Sequence, residues 1–181
     1  ENVFFAESEP LNLIPTRPKD SVVISNISTK STFDENNEVW KTWVNFEMKD
    51  ETKSDQFHEF STVFNLPNGC YISNYYLDVN EKREYGILAE KKSVLWIYNQ
   101  ITRFQQDPGI LYYLSGNRIA FKVFPFSREE VRKTGIEFLH KEPVKLTFEN
   151  QEIQLGENSI LPSNGSFENK FVKYISANEK K

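Results

Sequence analysis

From Trp40 to Met48 the chain alternates: Trp40, Thr42, Val44, Phe46 and Met48 fall on one face, while Lys41, Asn45, Glu47 and Lys49 fall mostly on the other. A period of two is that of a strand with one face buried. Trp43 breaks the pattern, a large ring on the polar side. Phe57 to Phe64 predicts a second strand, with Phe60 and Phe64 sharing a face with His58 and Thr62. Val22 to Ile27 is short and β-branched, and the polar stretch STKSTFDENNE after it reads as a turn. Leu66, Pro67, Asn68 and Gly69 predict another turn, because proline presets φ and glycine tolerates the left-handed region.

Cys70 to Val79 is apolar in both frames, which predicts a central strand. Ile72 and Tyr76 are expected on one side, with Tyr71, Tyr75, Leu77 and Val79 on the other. After NEKREYG the period changes. From Glu90, Val94, Ile97, Ile101 and Phe104 recur at spacings of three and four, joined by Leu95 and Tyr98. This predicts an amphipathic helix of about 15 residues, with Tyr98 and Ile101 facing a sheet. Asp107, Pro108 and Gly109 make a sharp exit from it.

Ile110–Leu114 and Arg118–Phe126 read as strands around a Ser115, Gly116, Asn117 hairpin, with Ile119, Phe121 and Val123 facing the core. Ser127 and Glu130 resemble a capping box, but Val131 is the one apolar residue before Gly135, so a single turn or a loop is expected there. Ile136–Leu139, Val144–Phe148, Ile153–Leu155 and Phe171–Ile175 complete a set of short strands, with turns at Glu149–Gln151 and Asn164–Gly165. About ten strands and one helix predict a mainly β protein, an antiparallel sandwich or distorted barrel with the helix packed on it. Residues 1–20, with Pro10, Pro15 and Pro18, read as a leader or edge segment, 21–160 as the domain, and 161–181 as a strand and tail packed on it.

The composition changes this picture in one respect. With 15 Phe, 8 Tyr and 3 Trp in 181 residues, rings and not leucines must build the core. The net charge of −4 is spread without a basic stripe, which argues against nucleic acid as a partner. Cys70 stands alone, excluding an intrachain disulfide, and is expected to be a small buried apolar group. No run approaches the length that spans a bilayer, so direct membrane insertion by this segment is not expected. The absence of an initiator Met reads as that of a piece of a longer protein.

The residues offer little catalytic chemistry. His58 and His140 are the two histidines and neither has a second ligand at a telling spacing, so no metal or cofactor is expected. Cys70 with either histidine could form a nucleophile pair for a hydrolase, but nothing suggests a third orienting group. Asp34, Glu35, Asp50, Glu51, Glu129 and Glu130 are expected to be solvated loop acids. No phosphate loop, dinucleotide fingerprint or nucleophile elbow occurs. Tyr71, Tyr75, Tyr76, Tyr112 and Tyr113 could form a platform for a sugar or a protein, against the reading that half of them are core. The expectation is a protein that is not an enzyme and has no catalytic residues.

Between residues 55 and 140 the motifs occur in a particular order. Leu66-Pro67 and Gly69 precede a strand with Ile72; Gly86 follows it; Glu90 and Lys91 begin a helix with Tyr98; Asp107, Pro108, Gly109 and Leu111 come next; and Val123 and Pro125 close a strand. This order resembles the vault protein inter-alpha-trypsin (VIT) domain, of the kind found in bacterial exosortase-associated membrane proteins. Cys70 and Val94 stand where that family often has alanine, and Phe138 alone represents the aromatic near its closing strand. The resemblance implies a non-catalytic module for protein interaction or scaffolding, whose partner is another protein or a neighbouring domain of the same chain. It implies a place in the cell envelope, on the extracytoplasmic side of a membrane-anchored parent. Such domains often sit beside a von Willebrand factor type A domain, whose metal-binding DxSxS signature this chain lacks.

Overall fold

A computed structural model describes residues 22–53, 55–87, 91–103, 108–128 and 130–162. The described residues form an antiparallel β-sandwich with one short helix. The strands are β1 (Val22–Asp34), β2 (Val39–Asp50), β3 (His58–Asn65), β4 (Cys70–Val79), β5 (Lys82–Tyr85), β6 (Gly109–Tyr113), β7 (Arg118–Phe126), β8 (Val131–His140), β9 (Val144–Phe148), β10 (Gln151–Leu155) and β11 (Ser159–Pro162). The helix α1 spans Lys91–Arg103, between β5 and β6. A six-stranded sheet in the order β11-β1-β2-β8-β4-β5 faces a three-stranded sheet β3-β7-β6, with the β9–β10 hairpin alongside β3 and β1.

The alternation in β2 is realised residue by residue: Thr42, Val44, Phe46, Met48 and Asp50 are buried and their neighbours are not. Between the sheets lies a core of rings. Phe46, Phe60, Phe121, Phe126, Phe138 and Phe148 are fully buried, Phe46 and Phe148 with centroids 4.6 Å apart and Phe64 and Phe148 at 5.0 Å. Burying one such ring stabilises by about 1.5–3 kcal/mol relative to leaving it exposed. The second face of the three-stranded sheet is also apolar. There Ile110, Tyr112 and Ala120, with Val63, Leu114 and Phe124, pack against Leu95 and Tyr98 of α1. The order of layers is therefore helix, small sheet, ring core, large sheet.

Several expectations are corrected. The stretch read as a turn after Ile27 is strand as far as Asp34, its hydroxyls satisfied by the turn that leads into β11: Thr29 and Ser31 donate to the Glu157 carbonyl at 2.7 and 2.9 Å. The turn is confined to residues 35–38. NEKREYG holds a strand, β5, closed on β4 by Asn80 and Glu81, both with positive φ. β11 was not foreseen from its four residues, and β8 runs unbroken from Val131 through Gly135. The Ser127–Glu130 pair does form, the Ser127 hydroxyl donating to Glu130 at 2.7 Å, but a strand follows it.

Ile72 and Tyr76 do not share a face. The register of β4 on β8 shifts between Ile72 and Asn74, and this bulge turns Ile72, Tyr75 and Val79 toward the core and Tyr76 away from it. The predicted leader, Glu90, Asp107, the 164–165 turn and the 171–175 strand lie outside the described residues.

Candidate functional site

The motif residues that suggested a family do structural work at three places. At the first, Cys70 N–H donates to the Pro67 carbonyl at 3.1 Å across a turn that needs Gly69 at φ +73. Leu66 is buried, and its N–H and carbonyl are both bonded to Asn117, at 2.8 Å each. At the second, Gly86 and Gly109 flank the ring of Tyr75. Gly86 N–H donates to the Tyr75 carbonyl at 2.8 Å, and a β-carbon on Gly109 would collide with the Tyr75 hydroxyl. Pro108 beside it is buried, its carbonyl accepting from Phe124 N–H at 3.0 Å. The third is the cis peptide before Pro125, where the buried guanidinium of Arg132 donates to the carbonyls of Phe124 and Pro125 at 3.2 and 2.8 Å.

Tyr98 and Lys91 belong to the helix layer. The Tyr98 hydroxyl donates to Glu59 at 2.6 Å, and Lys122 donates to the other oxygen of that carboxylate at 2.9 Å. Burial first, and then the Glu59 charge, push the Tyr98 hydroxyl far above the usual tyrosine range. Lys91 sits over the ring of Tyr112, 5.5 Å from its centroid, and the Tyr112 hydroxyl is buried without a protein partner.

Cys70 and His140 stand opposite one another across β4 and β8. Separation therefore does not disqualify them as a nucleophile pair; their chemistry does. Burial pushes the Cys70 thiol up to about 12 against a small lowering by the Tyr71 N–H. His140 has both nitrogens engaged: Nδ1 donates to the Glu142 carbonyl at 2.7 Å and Nε2 accepts from the Thr42 hydroxyl at 2.8 Å. Burial holds this imidazole below its usual pKa, partly opposed by the Glu142 carbonyl, so it stays neutral with no free lone pair. Asp50, expected to be a solvated loop acid, is instead fully buried at the end of β2 and bonded to His58 Nδ1 at 2.6 Å. Among the described residues no group of three or more His, Cys, Asp or Glu could hold a metal ion.

The five tyrosines considered as a platform are dispersed. Tyr75 lies against the core, Tyr112 lies under the helix, and Tyr71 and Tyr113 are exposed on different sheets. An aromatic cluster exists elsewhere, on the outer face of the large sheet. Trp43, Tyr76 and Tyr85 pack together there, with centroids 5.4 Å (Trp43–Tyr76) and 6.4 Å (the other two pairs) apart. Tyr76 lies over Gly135, where a β-carbon would strike its ring, and its hydroxyl donates to Asn45 at 2.8 Å. The Arg83 guanidinium stacks 3.6 Å above the Tyr76 ring and is held by Asp78 at 2.9 and 3.1 Å. Tyr85 remains 57% exposed, and Tyr71 on the same face 66%. The out-of-phase Trp43 was the sequence signal for this cluster; Gly135 and the β5 residues gave none.

A polar groove of about 610 Å³ runs between the edge of β3 and β9, past Asn65, Asn68 and Lys145. Lys145 on its wall pairs with Glu152 of β10 at 3.1 Å. No protein-family model matches the chain, and no curated protein matches it.

Proposed function

We propose that this chain is a non-catalytic protein-interaction or scaffolding module of VIT-like build, and that it engages its partner through the outer face of the six-stranded sheet. The observation that carries the reading is the cluster of Trp43, Tyr76, Tyr85 and Arg83. Trp, Tyr and Arg dominate the binding energy of protein interfaces, where rigid rings lose little entropy on contact. Here the rings are already locked by packing and by Asp78 and Asn45. The glycines and prolines that suggested the family position turns and the Tyr75 ring, which agrees with a scaffold and supplies no reactive group.

A glycan is the weaker ligand for this face. Sugar stacking favours coplanar rings, whereas these are inclined to one another by 51 to 68°. The resemblance further suggests an extracytoplasmic place on a membrane-anchored parent.

A photo-crosslinking residue at Tyr85 or Tyr71 in the intact protein tests the reading. Capture of a specific protein, lost in Trp43→Ala, supports it. Equal capture from a control site at Glu152 on β10, or glycan-array binding that depends on Trp43, would overturn it.

A further inference from the structure

Of the apolar set that the sequence pattern selects for the helix, Tyr98 faces the small sheet as expected, while Ile97 does not. Leu95 and Tyr98 point into the small sheet, while Trp96 is 65% and Ile97 46% exposed. At 100° per residue Lys92, Trp96, Asn99 and Arg103 form one outward stripe, and all four are exposed. Ile97 and Ile101, four residues apart, run beside it. Among the 13 residues of α1 there are three cations (Lys91, Lys92 and Arg103) and no acid, in a chain whose net charge is −4.

We infer that α1 is a peripheral docking element for an anionic phospholipid surface. A tryptophan and an isoleucine, flanked by basic side chains on an exposed helix, match the interfacial pattern. The rings and aliphatic groups enter the headgroup boundary while the cations stay at its charged level. The charge selects the surface, since the cations are segregated from the acids that dominate elsewhere in the chain. Thirteen residues extend about 20 Å along the axis, so the helix lies along the surface and does not cross it. Because the helix and the outer face of the large sheet are opposite layers of the sandwich, docking by α1 leaves Trp43 and Tyr85 pointing away from the lipid.

Co-sedimentation of the full chain with vesicles tests this. Phosphatidylglycerol/phosphatidylcholine vesicles should capture it at low salt, with capture falling as salt rises and little on pure phosphatidylcholine. Lys92→Gln with Arg103→Gln should weaken capture about 25-fold, about fivefold per charge. Trp96→Ala should weaken it at least about tenfold. All these side chains are exposed, so circular dichroism should be unchanged. Brominated lipid should quench wild-type tryptophan emission and leave Trp96→Phe emission unaffected. Trp43→Ala should bind vesicles like wild type, which separates this inference from the one about the sheet face. No capture, equal capture on both vesicle types, undiminished capture by the variants, or burial of Trp96 by self-association without lipid would overturn it.

Discussion

The hydroxyl of Tyr75 occupies the space into which a β-carbon on Gly109 would project. Gly86 lies against the same ring, its own β-carbon position 3.2 Å from the ring edge. One tyrosine thus requires Gly109 and presses closely on Gly86, 23 residues earlier in the sequence. Gly109→Ala is expected to destabilise by about 1–3 kcal/mol through overpacking. Tyr75→Phe should recover much of that loss in the double variant. The tyrosine hydroxyl is buried with no hydrogen-bond partner within 3.5 Å among the described residues, so its removal costs little. Urea midpoints of the two single variants and the double variant measure the coupling; strictly additive effects would show that the contact is not what makes Gly109 necessary.

What was legible followed physical period. β2 could be read because one face meets rings and the other meets water, and a period of two records that difference. β5, with all four residues exposed, and β11, with Ile160 largely exposed, left no such record. They are fixed by pairing to β4 and β1, which no local pattern encodes. The bulge at residue 73 inverted the apparent facing of Tyr76, because one extra residue shifts the period without altering composition. The aromatic face was unreadable for the same reason: Trp43 signalled it, but its partners come from β4 and β5, and Gly135 matters only because Tyr76 lies across it.

Asp50 ties stability to acid. Burial alone would raise its carboxyl; the N–H of Thr52 at 2.8 Å, His58 at 2.6 Å and the Thr52 hydroxyl outweigh that and hold it below the usual 3.8. A carboxyl depressed by folding contributes stability that is present above the unfolded pKa and lost as pH falls through the folded one. The loss attributable to Asp50 should therefore lie below about pH 4. Urea midpoints between pH 5 and pH 2.5 should fall more steeply for the wild type than for Asp50→Asn. The variant should also be less stable at pH 7, since it gives up a bonded carboxylate. Parallel profiles would mean that the carboxyl titrates as it does in the unfolded chain.

The thiol of Cys70 should be inert while the fold persists. With its pKa pushed up to about 12, the thiolate fraction at pH 8 is about a thousandfold below that of an ordinary cysteine. Labelling by a disulfide reagent should accordingly be slow in buffer and fast in denaturing urea, with a native rate that tracks global stability. Rapid stoichiometric labelling of the folded chain would revive the hydrolase reading, because it would require an activated thiol beside His140.

Two tyrosines at the contact between the helix and the small sheet, Tyr98 from α1 and Tyr112 from β6, separate a hydrogen bond from mere burial. Tyr98 gives its proton to Glu59 at 2.6 Å, whereas the Tyr112 hydroxyl, in the same apolar cluster, is buried without a protein partner. Removing the first hydroxyl deletes a bond to a charged acceptor; removing the second deletes a polar group that folding had desolvated without return. Tyr98→Phe should cost about 1.5 kcal/mol, the low end for such a bond, because the Glu59 side chain is still 31% exposed and water can replace the donor. Tyr112→Phe should be neutral or slightly stabilising. The loss in Tyr98→Phe should be local, since Leu95 and Tyr98 are the described helix side chains in that cluster. Amide exchange should therefore accelerate across Lys91–Arg103 and stay unchanged in β2 and β8. Equal effects of the two variants, or acceleration spread through both sheets, would show that α1 is held by the core as a whole and not by the bond to Glu59.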